Sequence, residues 1–166
     1  MNKKGRNGQP VSKKRWMIQT IILAALAISI VVSFLVGVGA KRVKLPFSGN
    51  DVTAAQVYRV SAETGEATMY EISDASLQTQ LVRAVTDLLV RSGEQPDEQD
   101  TDTYVVNFTL SDGTEYVVAS AKDADNYKDG EFLLKVDMET NLAPFCTEDT
   151  APVSAEVAPD SVPKGK

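Results

Sequence analysis

The chain has 166 residues and a net charge of −6, from 17 basic and 23 acidic side chains. It contains one cysteine, Cys146, and no histidine. A single cysteine forms no internal disulfide, and the lack of histidine excludes a Ser-His-Asp or Cys-His catalytic site and removes the commonest zinc ligand. Residues 1–40 hold six cations and no acid, whereas residues 41–166 hold 11 cations and all 23 acids, a net charge of −12. An acidic domain repels the phosphate backbone, so nucleic acid is not expected as a partner.

An apolar segment runs from Trp16 to Ala40, 25 residues without a charged side chain. A helix of that length spans ~37 Å at ~1.5 Å per residue, more than a hydrocarbon core of ~30 Å. The segment therefore predicts one transmembrane helix in a single-pass protein of the cell membrane. A cleaved signal peptide is the alternative, because residues 38–40 (Val-Gly-Ala) are small side chains suited to cleavage, although such peptides usually have apolar runs of only ~7–15 residues.

Cations flank this segment unequally. Six precede it in residues 1–15, and three follow it at Lys41, Arg42 and Lys44. The more basic flank normally stays in the cytoplasm. We therefore expect residues 1–15 to form a cytoplasmic basic tail attracted to lipid headgroups, and residues 41–166 to lie outside the cytoplasm.

The chain after this segment predicts a small α+β domain in residues 51–142, preceded by a juxtamembrane linker in residues 41–50. Two short β-like runs at 56–60 and 67–72 flank a turn and indicate a hairpin. The hydrophobic period then changes to that of a helix, with Ser73 and Asp74 as candidate N-caps. An amphipathic helix is expected from about Ala75 to Arg91, with an apolar face formed by Leu77, Leu81, Val85 and Leu88.

The second half of the predicted domain is rich in strands. Residues 94–102 read as a hydrated acidic loop. Residues 103–110 alternate along a strand, and residues 115–121 continue as its partner strand after Asp112-Gly113, a favoured pair for a two-residue type I′ turn. Residues 131–136 alternate again and predict a final strand. The expected order is ββαβββ, with one helix packed on a mostly antiparallel sheet and its apolar face against Tyr104, Val106, Phe108 and Leu110.

Residues 143–166 contain prolines and acids without a face to bury, and predict a disordered tail. Cys146 falls within this tail and is expected to have no specific role, with an intermolecular disulfide or a modification as the alternative. The segment Asp123–Glu131 partly matches a calcium-binding loop, but Tyr127 and Lys128 occupy its fifth and sixth positions, so a turn is favoured.

These patterns predict no catalytic residue, no cofactor-binding residue, no metal ligand and no cofactor. The expected function is that of a non-catalytic extracytoplasmic binding or interaction module. Its expected partners are the lipid bilayer, in which it is anchored, and other membrane or envelope proteins. The alternative is a small-ligand or ion sensor subunit of a larger membrane complex. The organisation resembles that of small single-pass proteins of Gram-positive bacteria, although no motif of a particular family accompanies it.

Overall fold

The computed structural model describes residues 40–120 and 130–164, which form an α+β fold of two helices packed against two antiparallel sheets. The predicted basic tail and all but the last residue of the predicted membrane span lie outside the described residues, as does most of the calcium-like segment. No helix among the described residues is long and apolar enough to cross a membrane.

The described residues form eight strands and two α-helices, more elements than the predicted order ββαβββ. The strands are β1 (Lys41–Arg42), β2 (Val52–Val60), β3 (Ala67–Ile72), β4 (Leu89–Ser92), β5 (Thr103–Leu110), β6 (Glu115–Ala119), β7 (Glu131–Leu133) and β8 (Ser154–Val157). The helices are α1 (Ala75–Thr86) and α2 (Lys135–Leu142).

The larger sheet has five antiparallel strands in the order β6-β5-β2-β3-β8. Both predicted hairpins, β2-β3 and β5-β6, are confirmed. The turn between β5 and β6 is not the expected two-residue type I′ turn. The Gly113 N–H donates to the Leu110 carbonyl at 2.9 Å, and Gly113 has a φ of 81°. This is the three-residue loop in which a glycine takes the left-handed position.

Helix α1 lies on one face of this sheet. The Asp74 carboxylate caps its N-terminus by accepting a hydrogen bond from the Leu77 N–H at 2.9 Å. The helix and β5 both contribute to one buried cluster, which includes Leu81 and Val85 from the helix and Tyr104, Val106 and Phe108 from the strand. The helix ends at Thr86 rather than near Arg91. Residues 89–92 leave the helical path because they are paired on both sides, with β1 and with β7.

The smaller sheet, in the order β1-β4-β7, corrects the prediction of a linker at residues 41–50. Lys41 and Arg42 pair with β4, and the Val43 N–H donates to the Leu88 carbonyl at 3.0 Å. The ring of Phe47 then meets two aromatic rings of the larger sheet, each at a centroid distance of 5.3 Å. The segment is therefore part of the fold, fixed by backbone pairing and by apolar contact.

The predicted strand at residues 131–136 is also corrected, because β7 stops at Leu133 and α2 begins at Lys135. The N-terminus of this helix is capped by Glu98, whose carboxylate accepts a hydrogen bond from the Lys135 N–H at 2.7 Å. Met138 and Leu142, four residues apart, are both fully buried and hold the helix against the core.

The prediction of a disordered tail at residues 143–166 is wrong for most of its length. Phe145, Cys146 and Ala151 are buried in the main core. Residues 154–157 then pair with β3 as the edge strand β8. Local composition favoured disorder, but these contacts with distant parts of the chain stabilise an ordered segment.

Candidate functional site

An open polar groove of about 520 Å³ lies where the acidic loop meets the turn between β2 and β3. Val60 and Thr103, which pair at the adjoining ends of β2 and β5, are among the residues that line it. We call it the loop groove and define it by the residues Ser61, Ala62, Gln99, Asp100, Thr101 and Lys135. Hydroxyl, amide, carboxylate and ammonium groups are all available there, which suits a polar ligand.

The first wall of the loop groove is fixed by Asp102. One carboxylate oxygen of Asp102 lies 2.6 Å from Nε of Arg59, and the other accepts a hydrogen bond from the Ala62 N–H at 2.9 Å. Burial of this carboxyl group favours its neutral form, but the hydrogen bonds from Ala62 and Arg59 outweigh that effect and lower the pKa of Asp102. The carboxylate therefore stays charged and ties the acidic loop to the β2-β3 turn.

The second wall is fixed by Glu98 of the acidic loop, whose carboxylate lies at the N-terminus of α2. The carboxylate of Glu98 accepts the hydrogen bond from the Lys135 N–H, and the Lys135 ammonium donates to the Glu98 carbonyl at 3.3 Å. A carboxylate at the N-terminus of a helix is stabilised by the helix dipole. The prediction of a hydrated loop thus holds for the exposed Glu94, Asp97 and Asp100 but is wrong for the two acids that hold the loop in place.

Two side chains with potential reactivity lie in the core near Arg59 rather than in the groove. Tyr104 is fully buried, and its hydroxyl finds no hydrogen-bond partner among residues 40–120 and 130–164. Burial raises its pKa to about 12, although the Arg59 charge opposes that rise. Burial likewise raises the pKa of the Cys146 thiol to about 12, again against Arg59. Both groups are therefore neutral near pH 7, and the thiol, only 8% exposed, is shielded from reagents.

The opposite face of the five-stranded sheet carries a second, smaller apolar cluster. Tyr58, Val105 and Ala119 are buried there, with Val157 and Val162 packed against them. Val162 shows that the C-terminal segment covers part of this face.

Sequence reasoning identified no candidate site residue, so the residues of the loop groove are all additions from the structure. Their signal is absent from local patterns, because they are polar residues from three separate parts of the chain. Within the described ranges, no group of three or more Cys, Asp or Glu residues is arranged to hold a metal ion.

Comparison with known proteins does not place the chain in a family. No protein-family model matches it, and neither the curated proteins nor the solved structures include a significant match.

Proposed function

We propose that the chain is a single-pass membrane protein whose extracytoplasmic domain is a non-catalytic interaction module that binds a polar partner at the loop groove. The observation that carries this proposal is the pair of contacts made by Glu98 and Asp102. They hold an acidic loop, exposed over most of its length, in a defined conformation beside an open groove. A loop ordered before binding loses less conformational entropy when the partner arrives, and so binds more tightly.

The state of the potential nucleophiles favours binding over catalysis. Cys146 is the only cysteine of the chain, and its thiol is buried and protonated near neutral pH. The Tyr104 hydroxyl is neutral as well and fully buried. The groups that line the loop groove are instead suited to hydrogen bonding and charge pairing with a ligand.

Anchoring in the membrane is supported by the sequence. Residues 16–40 are long and apolar enough to cross a bilayer, and the six cations before them favour a cytoplasmic N-terminus. Extraction of membranes with alkaline carbonate tests this part. The full chain should remain in the pellet with residues 1–40 still attached. A mature chain that begins at Lys41 and appears in the soluble fraction would refute it.

Binding at the loop groove is tested by site-specific photo-crosslinking of the full chain in its own membrane. A photoreactive residue at Gln99, in the groove, should form a discrete cross-linked product. The matched control is Gln80, another exposed glutamine, which lies on α1. No product at position 99, or the same products at both positions, would contradict the proposal.

The sensor alternative predicts a different result for the same protein. Calcium, a sugar or a short peptide would raise the melting temperature of the detergent-solubilised chain, because a ligand that binds only the folded state stabilises it. Under that alternative, position 99 would yield no cross-link to another protein.

A further inference from the structure

The folded domain begins directly after the predicted membrane span. The span is predicted to end at Ala40, and β1 begins at Lys41, which pairs with Val90 of β4. Val43 is already buried, at 8% exposure. The sequence therefore leaves no flexible spacer between the last apolar residue of the span and the first fixed residue of the fold.

This first part of the domain carries a local excess of positive charge. Lys41 lies 2.9 Å from Glu131 and Arg42 lies 2.7 Å from Asp87, yet the side chains of the two cations stay 60% and 73% exposed. Lys44 is exposed and forms no ion pair with any residue that the structure describes. The segment thus carries three cations against two paired acids, although residues 41–166 as a whole have a net charge of −12.

We propose that the segment Lys41–Lys44 contacts the phosphate groups of phospholipid headgroups; this inference rests on the proposed membrane anchoring. An extended chain rises ~3.3 Å per residue, so backbone atoms up to Lys44 lie within ~13 Å of Ala40. The polar layer on each side of the hydrocarbon core is about 5–8 Å thick. Lys41 and Arg42 therefore fall in or beside that layer, and the flexible stem of Lys44 lets its ammonium reach back toward it.

Lipid fits this segment better than a second copy of the chain. A second copy offers an acidic surface, but its approach is not determined by the position of the segment in the chain. The lipid surface, in contrast, lies within a few residues of these cations in every anchored molecule. The pair of Arg42 with Asp87 is exposed on both sides and so contributes little to folding, and the Lys41 side chain is itself 60% exposed, so both cations can reach a phosphate group.

The test uses the full chain in vesicles of phosphatidylcholine and phosphatidylglycerol with a nitroxide on some headgroups. A fluorophore is attached at Lys44→Cys or, as the control, at Ser154→Cys in β8. Strand β8 is the edge opposite β6, four strand spacings or ~19 Å away, and Phe47 packs near β6. Because Cys146 is buried, the chain without an added cysteine should take up no label, which is checked first.

We expect the fluorescence at position 44 to be lost to the nitroxide and that at position 154 to be retained. A Gly-Ser spacer of about six residues, placed between Ala40 and Lys41, extends ~13 Å and should restore the fluorescence at position 44. The double substitution Lys41→Gln/Arg42→Gln should also restore part of it in anionic vesicles.

Equal quenching at the two positions, whether strong or absent, would overturn the lipid contact. Energy transfer between labelled copies without quenching at position 44 would assign the segment to a second copy and overturn it as well. Alkaline extraction distinguishes a failure of the membrane anchoring from a failure of the lipid contact. A chain that is released shows that the anchoring itself has failed, whereas a chain that is retained but not quenched at position 44 refutes the lipid contact alone.

Discussion

Two substitutions in α2 test whether this segment is a helix, as in the structure, or continues the strand that the alternating pattern of residues 131–136 predicts. A strand through this region would place Val136 on the same face as Phe132 and bury both. In the structure Val136 is 50% exposed, whereas Leu142, six residues further on, is fully buried in the core. The substitutions Leu142→Ala and Val136→Ala should therefore differ widely in their effect on the free energy of unfolding.

The magnitude follows from burial. Truncating a fully buried leucine to alanine removes its transfer free energy and leaves a cavity, at a cost of about 2–5 kcal/mol. Truncating the half-exposed Val136 should cost about 0.5 kcal/mol or less, because surface substitutions rarely exceed that value. In terms of the unfolding equilibrium, these costs correspond to roughly 30-fold to several thousand-fold for Leu142→Ala and about 2-fold for Val136→Ala.

The assay uses the native thiol of Cys146 as the reporter. It is the only cysteine and is buried, so a maleimide reacts with it only when the domain opens. When opening and closing are fast relative to labelling, the labelling rate follows the population of the open form. The rate for each variant is measured against urea concentration in the detergent-solubilised full chain.

A similar acceleration of labelling by both substitutions would refute the helical assignment of α2. A larger effect of Val136→Ala than of Leu142→Ala would restore the strand, with Val136 facing the core. Thr140→Ala is a further control, because its exposed side chain lies on the same helix and should leave the labelling rate nearly unchanged.

Three further predictions concern the core, the acidic loop and a close contact. Because burial raises the pKa of the Cys146 thiol from 9.0 to about 12, the folded state should keep a proton that the unfolded state loses above pH 9, and urea titrations should show stability falling as pH rises through that window. The pKa of Asp102 is lowered in the folded state, so the carboxylate stabilises the fold at pH values above its usual pKa of 3.8, and this contribution is lost at lower pH. The substitution Asp102→Asn should therefore flatten the acid limb of the stability profile. An unchanged acid limb would contradict the contact of Asp102 with Arg59. A Cβ at Gly49 would lie 2.9 Å from Cα of Thr79, so Gly49→Ala should cost about 1–3 kcal/mol by urea unfolding, and Thr79→Ala should not rescue it because the clash includes the backbone.

Several elements indicated by local patterns were predicted correctly, although the alternation of residues 131–136 and the Asp112-Gly113 pair were misleading. The alternation of Tyr104, Val106 and Phe108 identifies the face of β5 that packs in the main core, because side chains of a strand point to its two faces in turn. The period of α1 and its cap at Asp74 are equally local. Each of these signals lies within a window of a dozen residues.

The missed elements depend on contacts between distant parts of the chain. Strands β1, β4 and β8 have only two to four residues each, too few to show a period. In α2 only Met138 and Leu142 are fully buried, and its cap comes from Glu98, 37 residues earlier. Composition also misled at residues 143–166, since prolines and acids suggested disorder where Ala151 is fully buried.

The loop groove was hidden for the same reason. Its acids look alike in the sequence, and only the structure separates Glu98 and Asp102, which hold the loop, from Asp100, which stays exposed at the groove. A carboxylate with a fixed partner and a carboxylate in water differ by their surroundings, not by their neighbours along the chain.

The loop groove and the cationic start of the domain are joined by one short stretch of chain. Lys41 pairs with Glu131 at the beginning of β7, and Lys135 lines the groove at the beginning of α2. Four residues of even a fully extended chain span at most ~14 Å, so the groove lies within that distance of the residue to which Lys41 is paired. If Lys41 is at the lipid surface, a partner in the groove must approach within reach of the headgroups. Another protein attached to the same membrane meets that requirement. Its confinement to the membrane plane raises its effective concentration at the groove over that of a free molecule.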